Sequence, residues 1–436
     1  MMKKKWIRKI GIIAGWLIVW QLVSLIVGNH ILLTGPAETL KALFGLLIQP
    51  AFWEACVGSL FRIAMGFFGG MILGMLLAMG SARYKWLEEI LEPVITLVKA
   101  IPVASFVVIF LIWWGSENLA IAISFCMVLP NIYINTLEGI QSTDRRLLEM
   151  ARVFEISGRN QLFYIYRPAM KPFLDSAIKL AAGMSWKSGV AAEVIGLPKY
   201  AIGEQLYMSK IYLDTAGVLA WTLVIILLST GFERVIMYLW KSFCIWEPSC
   251  RAGRDVPGVM NEEGLVSLVG VCKAYQDKKV LEDITKQYQK GKTYYFNSPS
   301  GSGKTTLFRL LAGLERPDKG TIESKLRSRA FLFQEDRLCE EYNALKNVEL
   351  VTGDRELAKQ HLLQLLEEED IYKPCKALSG GMKRRVALAR TMAVSAELIL
   401  LDEPYNGLDE ANRIKVRDYI QKYSKDSILM IASHIE

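Results

Sequence analysis

The chain has 436 residues, 52% of them hydrophobic, and a formal net charge of +8. That length is too great for one ordinary domain. The apolar content is uneven: residues 1–245 hold long apolar runs and the remainder has a soluble composition. The basic residues cluster beside the apolar runs, where cytoplasmic segments of membrane proteins carry them, which explains the charge better than nucleic-acid binding does. The seven cysteines show no C-x-x-C and no metal-ligand spacing, so they read as scattered free thiols.

In chain order, Lys3, Lys4, Lys5, Arg8 and Lys9 precede an apolar run from Ile10 to Val27. The run is long for a signal-peptide core and no small-x-small cleavage site follows, so it reads as a first span with a cytoplasmic N-terminus. Leu40 to Ile48 is too short to cross and reads as a surface helix on the outer face. A second span, about Ala55 to Gly80, is rich in glycine (Gly58, Gly66, Gly69, Gly70, Gly74), which lets helices approach closely in lipid. The third covers about Ile90 to Trp114 and is expected to break at Pro93 and Pro102. The fourth covers about Leu119 to Leu137. Between Gln141 and Lys171 lies a basic amphipathic stretch with Arg145, Arg146, Arg152, Arg159 and Arg167, which places it in the cytoplasm.

A fifth span is read over about Phe173 to Ile195, then a polar outer loop from Leu197 to Thr215, then a sixth span over about Gly217 to Trp240. Six crossings return the chain to the cytoplasm. Two lysines lie within the fifth. Lys179 has Asp175 four residues back; Lys187 has no acid within one turn. A bare ammonium at that depth costs about 3 kcal/mol or more, so Lys187 either marks the translocation path of an anionic substrate, the reading favoured here, or forms a structural pair or snorkels outward. Trp246 to Glu263, with Pro248, Gly253, Pro257 and Gly258, reads as a linker.

The remainder, residues 264–436, alternates strand and helix patterns. Its centre is Ser298 to Thr306, reading SPSGSGKTT, between the apolar run Thr293–Phe296 and Leu307–Leu311. Strand, glycine loop, helix is the order that makes a concave anion site from backbone N–H groups. Ser300, Gly301, Ser302, Gly303 and Thr306 belong to that cradle. Lys304 reaches β- and γ-phosphates, and the Thr305 hydroxyl ligates Mg²⁺. The motif's first glycine is replaced by Ser298, which is expected to strain the turn.

Six further features recur together. Leu378-Ser379-Gly380-Gly381-Met382 resembles the signature of ABC-transporter ATPases, and Leu398 to Pro404 resembles their Walker B strand. Gln334 matches the Q-loop, Gly407-Leu408-Asp409 the D-loop, His434 the switch histidine, and Tyr275 the aromatic that stacks on adenine. The resemblance implies that Asp402, Gln334 and Thr305 serve Mg²⁺, that Glu403 polarises the attacking water with His434 beside it, and that Ser379, Gly380 and Gly381 meet ATP held by an opposite subunit. In the first half, Glu149-Met150-Ala151, Gly158 and Arg167-Pro168 resemble the EAA coupling loop of binding-protein-dependent importer permeases, with Glu155 where that loop usually has glycine. Ser59, Arg62, Gly66, Ile101-Pro102, Ala192-Glu193 and Tyr212 to Thr215 resemble the sulfonate, taurine and nitrate branch.

The resemblance therefore implies an α-helical membrane domain of six transmembrane helices (1–245), a linker (246–263) and an α/β P-loop ABC ATPase domain (264–436). It implies ATP and Mg²⁺ as cofactors, a second copy of the chain, a separate extracytoplasmic solute-binding protein and membrane lipid as partners, and no nucleic acid. The place is a bacterial plasma membrane with the ATPase cytoplasmic. Two readings stay open: an importer half-transporter, and a membrane-anchored ABC ATPase with a regulatory or scaffolding role. Short cytoplasmic loops argue against an exporter. Ser298, and an end at Glu436 soon after the histidine, are expected to slow turnover.

Overall fold

A computed structural model of the protein describes residues 2–29, 31–247, 250, 265–276, 278–299, 301–324 and 326–433. Ser300, His434 and nearly all of the expected linker lie outside the described residues. The chain divides into two compact units, residues 1–142 with 170–246, and residues 143–169 with 247–436.

In the first unit, helices α1 (Met2–Val27), α2 (Pro36–Leu47) and α3 (Pro50–Arg83) lead into α4 (Lys85–Ala100), α5 (Val103–Trp114) and α6 (Leu119–Gln141). Proline stands at the first turn of both α2 and α3, where its missing N–H has no partner to lose. Along α3, Gly66, Gly70 and Gly74 face α6, and at Gly66 an added Cβ would lie 2.3 Å from the Ile121 carbonyl oxygen. Any side chain there would push the two helices apart.

Among the described residues, four helices are long and apolar enough to cross a membrane: Ile10–Val27, α3, α6 and Thr215–Ile245. The pair α4 and α5, bent by 102°, makes a fifth candidate. The bend falls at Pro102, as the sequence predicts, and not at Pro93, which lies inside α4. Ile101 before Pro102 is extended, the conformation proline imposes on its predecessor, while Glu92 before Pro93 stays helical. The expected fifth span forms a long helix, α9 (Arg167–Gly196), but does not meet the same test of apolarity, because Lys179, Lys187 and Glu193 interrupt it. The count of spans by length and composition is therefore four or five, below the six expected. The expected outer loop carries a helix of its own, α10 (Ile202–Ile211), before α11 (Thr215–Ile245).

Three polar links order this unit, two of them buried or half-buried. The Glu193 carboxylate is fully buried; Ser59 Oγ donates to it at 2.6 Å, Gly203 N at 3.2 Å, and Arg62 stands 3.8 Å away. Lys179 pairs with Glu233 of α11 at 3.8 Å, not with Asp175. Asp175 instead accepts from Trp240 Nε1 at 2.6 Å. Helical spacing favours the local pair, yet tertiary neighbours take both groups.

The second unit opens with α7 (Arg145–Val153), capped by Asp144, whose side chain accepts from Arg146 N at 2.8 Å. The short helix α8 (Gly158–Gln161), capped by Ser157, and a π-helical turn (Leu162–Tyr166) follow. An antiparallel sheet holds β1 (Leu265–Tyr275), β2 (Lys278–Gln289) and β4 (Lys319–Ser324) in the order β2-β1-β4. A parallel sheet holds β3 (Thr293–Phe296), β7 (Ile428–Ala432), β6 (Leu398–Asp402) and β5 (Arg329–Leu332) in that order. β6 and β7 are buried at every residue, as strands covered on both faces must be. Helices α12 (Lys304–Leu311), α13 (Ala344–Thr352), α14 (Arg355–Leu363), α15 (Glu368–Ile371), α16 (Gly380–Met392) and α17 (Glu410–Tyr423) complete the unit.

Candidate nucleotide and coupling site

Strand register decides where the chemistry collects. Phe296 of β3 and Asp402 of β6 both pair with Ala432 of β7, and Leu332 of β5 pairs with Leu401 of β6. The phosphate loop, the Asp402–Glu403 pair and the segment through Gln334 therefore all leave the carboxyl edge of one parallel sheet, the edge at which such sheets bind ligands.

At that edge Gly301 and Gly303 take left-handed φ of 81° and 87°, and Gly303 forms the N-cap of α12. A Cβ at Gly303 would lie 2.9 Å from Val280 O, so glycine is required there on two counts. Lys304 Nζ donates back to the Ser298 carbonyl. Ser298 itself does not take a left-handed conformation, so the strain expected at that position is absent. The glycine-rich loop and the α12 N-terminus behind it suit phosphate. Thr305 Oγ1 donates to Asp402 Oδ2 at 2.8 Å. A hydroxyl and a carboxylate oxygen so placed are a hard-oxygen donor set, which fits Mg²⁺. Burial pushes the Asp402 carboxyl up, partly opposed by the Thr305 hydrogen bond.

Glu403 sits half-buried just past β6 with φ 53°, its amide donating to Ala432 O at 2.8 Å and its carboxylate accepting from Asn406 Nδ2 at 3.2 Å. A left-handed glutamate is a strained residue held by its surroundings. Ser379, the N-cap of α16, accepts from Met382 N at 3.3 Å, and Ser379 and Gly380 are exposed. Gly381 is close to Gly407, whose carbonyl oxygen would be 3.1 Å from an added Cβ. The Tyr275 ring is 43% exposed, with Lys273 Nζ 5.7 Å from its centroid.

Two arginines that the motifs do not mark tie this edge together. Arg384 of α16, buried, donates to Phe333 O at 2.6 Å and to the carbonyls of Asp402 and Glu403. Arg390, also buried, donates to Arg337 O at 2.7 Å and Asp336 O at 2.9 Å. The helix that begins with the signature glycines thus holds the segment following Gln334 by its backbone. Gln334 itself is exposed.

The segment 143–169 enters through one carboxylate. Glu149 of α7 accepts from Arg309 Nη2 at 2.7 Å and Nη1 at 3.0 Å, and from Arg337 Nη1 at 2.7 Å. Arg309 lies on α12 behind the phosphate loop; Arg337 follows Gln334 and stacks 3.7 Å from the Phe333 ring centroid. These two guanidiniums, Arg309 first, hold the Glu149 carboxyl down at about 2. Ala151 is buried beside it. Arg167 donates to Tyr342 Oη at 3.1 Å, and Tyr342 donates to Phe163 O at 3.1 Å. At Gly158 an added Cβ would meet nothing within 4 Å. The conformation that favours glycine lies instead at Glu155, φ 49°. Lys187, in the other unit, is exposed along an open groove of about 370 Å³ with Ser176, Lys179, Gly183 and Glu233. Spacing alone reveals neither Arg309 nor Arg384; each earns its place through partners far along the chain.

Residues 281–406 match the family described as ABC transporter, and residues 70–242 match that described as binding-protein-dependent transport system inner membrane component. An aliphatic sulfonates import ATP-binding protein, SsuB 1 of Rhodococcus jostii, is 35% identical over 184 residues, covering 39% of this chain and 74% of that protein. The chain belongs to the ABC transporter family. A second such protein of the same organism, SsuB 3, is 40% identical over 36% of this chain and 59% of its own length. A dimeric ATP-binding cassette solved in a post-hydrolysis state with ADP and Pi is 26% identical over 39% of this chain and 88% of that chain, with a TM-score of 0.37. This ABC transporter chain thus joins an inner-membrane permease component to an ATPase domain that hydrolyses ATP to drive transport.

Proposed function

We propose that the protein is the fused half of an ATP-driven importer for a small anion, of the class that holds sulfonates, taurine and nitrate. Two copies assemble, and a separate extracytoplasmic binding protein delivers the solute. The membrane is the bacterial plasma membrane, with the ATPase on the cytoplasmic side. α9 is read as a further span whose charges face protein or water, which gives six crossings with the broken pair α4 and α5 counted once. The observation that carries the reading is Glu149, from the segment between α6 and α9, bonded at once to Arg309 behind the phosphate loop and Arg337 beyond Gln334. A carboxylate shared by two guanidiniums resists withdrawal, so movement at either place is felt by the segment that leads into the membrane helices.

In this reading Ser298 to Thr306 cradles the ATP phosphates, Lys304 answers their charge, and the exposed Tyr275 ring lies against the base. Mg²⁺ held by Thr305, Asp402 and Gln334 would supply positive charge against the β- and γ-phosphates. The Glu403 carboxylate takes a proton from water as the water oxygen bonds the γ-phosphorus. The bond to the β,γ-bridging oxygen breaks, and ADP and phosphate leave. Ser379, Gly380 and Gly381 of one copy supply N–H groups to the γ-phosphate held by the other, so hydrolysis needs a pair. His434 is assigned beside that phosphate on its motif alone.

Lys187 supports the anionic substrate class. Among the described residues it has no ion-pair partner, while its neighbour Lys179 has Glu233 at 3.8 Å. An unpaired ammonium on a membrane helix is retained where it faces a polar path. The experiment is reconstitution in liposomes with the cognate binding protein. Solute-stimulated ATP hydrolysis and uptake are expected, with uptake lost and basal hydrolysis kept in Lys187→Met. Hydrolysis without uptake of any solute would favour an anchored regulatory ATPase.

A further inference from the structure

Arg309 makes two separate attachments. Its two Nη groups hold both oxygens of Glu149, and its Nε donates to Glu315 Oε1 at 2.5 Å. The second oxygen of Glu315 accepts from the Tyr275 hydroxyl. All donors on the three guanidinium nitrogens that face these partners are thereby used in one plane, one edge toward Glu149 and the other toward Glu315. The chain Glu149–Arg309–Glu315–Tyr275 is continuous, and each of its charged groups is at least two-thirds shielded: side-chain exposure is 28% for Glu149, 22% for Arg309 and 20% for Glu315.

A planar guanidinium bound on two edges cannot turn without breaking one set of bonds. Release of Glu149 would free both Nη groups, and Arg309 would then reorient toward Glu315 or solvent. Glu315 would lose its fixed angle, and the Tyr275 hydroxyl would lose its carboxylate acceptor and keep Thr306 as a side-chain partner. Lys273 braces the ring from the side, itself held by Asp318 at 2.9 Å, but it does not touch the hydroxyl.

We infer that Arg309 and Glu315 are positioning residues that transmit the seating of Glu149 to the Tyr275 ring, so that the affinity for the nucleotide base depends on the docked state of the segment 143–169. The inference rests on the reading of Tyr275 as the base platform. The phosphate grip belongs to other groups, so the dependence should be confined to ligands that carry a base.

The test uses the full chain in lipid nanodiscs and two probes, ATP and inorganic tripolyphosphate, titrated by calorimetry. Tyr275→Phe, Glu315→Gln and Glu149→Gln should each raise the Kd for ATP by about threefold to tenfold, the range of one hydrogen bond. The Glu149→Gln/Glu315→Gln pair should be no weaker than the weaker single variant, because both cut one chain. Tripolyphosphate affinity should stay within about twofold throughout. Arg309→Lys, which keeps charge but not the fork, should behave like Glu149→Gln. An unchanged ATP Kd in Glu149→Gln, additive effects, or a parallel loss of tripolyphosphate binding would overturn the inference. Tyr275→Ala with parental ATP affinity would instead remove the base platform, and Lys304→Ala binding tripolyphosphate normally would remove the phosphate site.

Discussion

The two units use charge differently. In the ATPase unit, several of the ionisable groups near the phosphate loop stand at element ends: Asp402 ends β6, Lys304 opens α12, and Arg309 lies in its last turn. Asp402 is buried, and Lys304 and Arg309 are half-buried. In the membrane unit the ionisable groups sit within long helices. Glu193 is held by Ser59, 134 residues away, and Lys179 by Glu233. The first arrangement concentrates charge where a ligand arrives; the second spends it on fastening helices, and leaves Lys187 over. Charge at the strand ends thus gathers at the nucleotide edge, whereas the charges of the membrane helices mostly fasten one helix to another, Lys187 excepted.

The largest expected effect tests the strand-end set. Glu403→Gln should reduce hydrolysis by about 100-fold to 10,000-fold, the range for a lost general base, while ATP binding persists and the paired state is trapped. Phosphate release and size-exclusion in the presence of ATP measure both. Parental hydrolysis would move the base elsewhere and weaken the contrast between the units.

The structural pairs should respond in stability instead. Arg62→Met removes the cation nearest the buried Glu193 carboxylate and should destabilise the membrane unit by about 3 kcal/mol, measured by unfolding in detergent. Adding Glu193→Gln should recover part of that loss, because no buried charge then remains unpaired. Additive losses would mean that the two groups are not a pair.

How much of this was legible follows from the same distinction. The phosphate loop, the signature and the Walker B strand are contiguous, so composition and order expose them, and the strand–loop–helix order around Ser298 to Thr306 is the one the structure holds. Arg309 and Arg384 were not legible, because Glu149 lies 160 residues from Arg309 and Asp402 lies 18 from Arg384, with nothing in the spacing to join them. Lys179 shows the opposite failure: a good local partner, Asp175, loses to Glu233. Apolarity alone supports four or five of the six expected spans, because the charges of α9 lower its hydropathy in the same way as charges in a loop.

A middle-sized effect concerns pH. The docked Glu149 carboxyl titrates at about 2, below its ordinary value near 4.3. A depressed carboxylate contributes stability that is complete above its free value and lost as pH falls through its folded one. Docking of the segment 143–169 should thus be constant from pH 8 to about 5 and weaken between about 4.3 and 2. Spin labels on α7 and on the face near Gln334 would report the separation. Glu149→Gln should loosen the docked state at pH 7 and flatten the acid response; an unchanged response would move the titration to another group.

The smallest effect separates two departures from family pattern that look alike in sequence. Ser298 and Glu155 each stand where relatives of the resembled families carry glycine. Only Glu155 has a left-handed backbone, φ 49°. A left-handed non-glycine residue costs about 1–2 kcal/mol in the folded state. Glycine removes that cost but gains about 0.4–1 kcal/mol of unfolded-chain entropy, so Glu155→Gly should stabilise the second unit by a net of about 0.5–1 kcal/mol. Ser298→Gly relieves nothing, and the same entropy should make it neutral or destabilising by up to about 1 kcal/mol. The Ser298 carbonyl that accepts from Lys304 is backbone and survives the change, so ATP affinity should stay at the parental level. Paired thermal unfolding of the two variants measures the difference in sign. Stabilisation by Ser298→Gly with no gain from Glu155→Gly would place the strain in the phosphate loop after all.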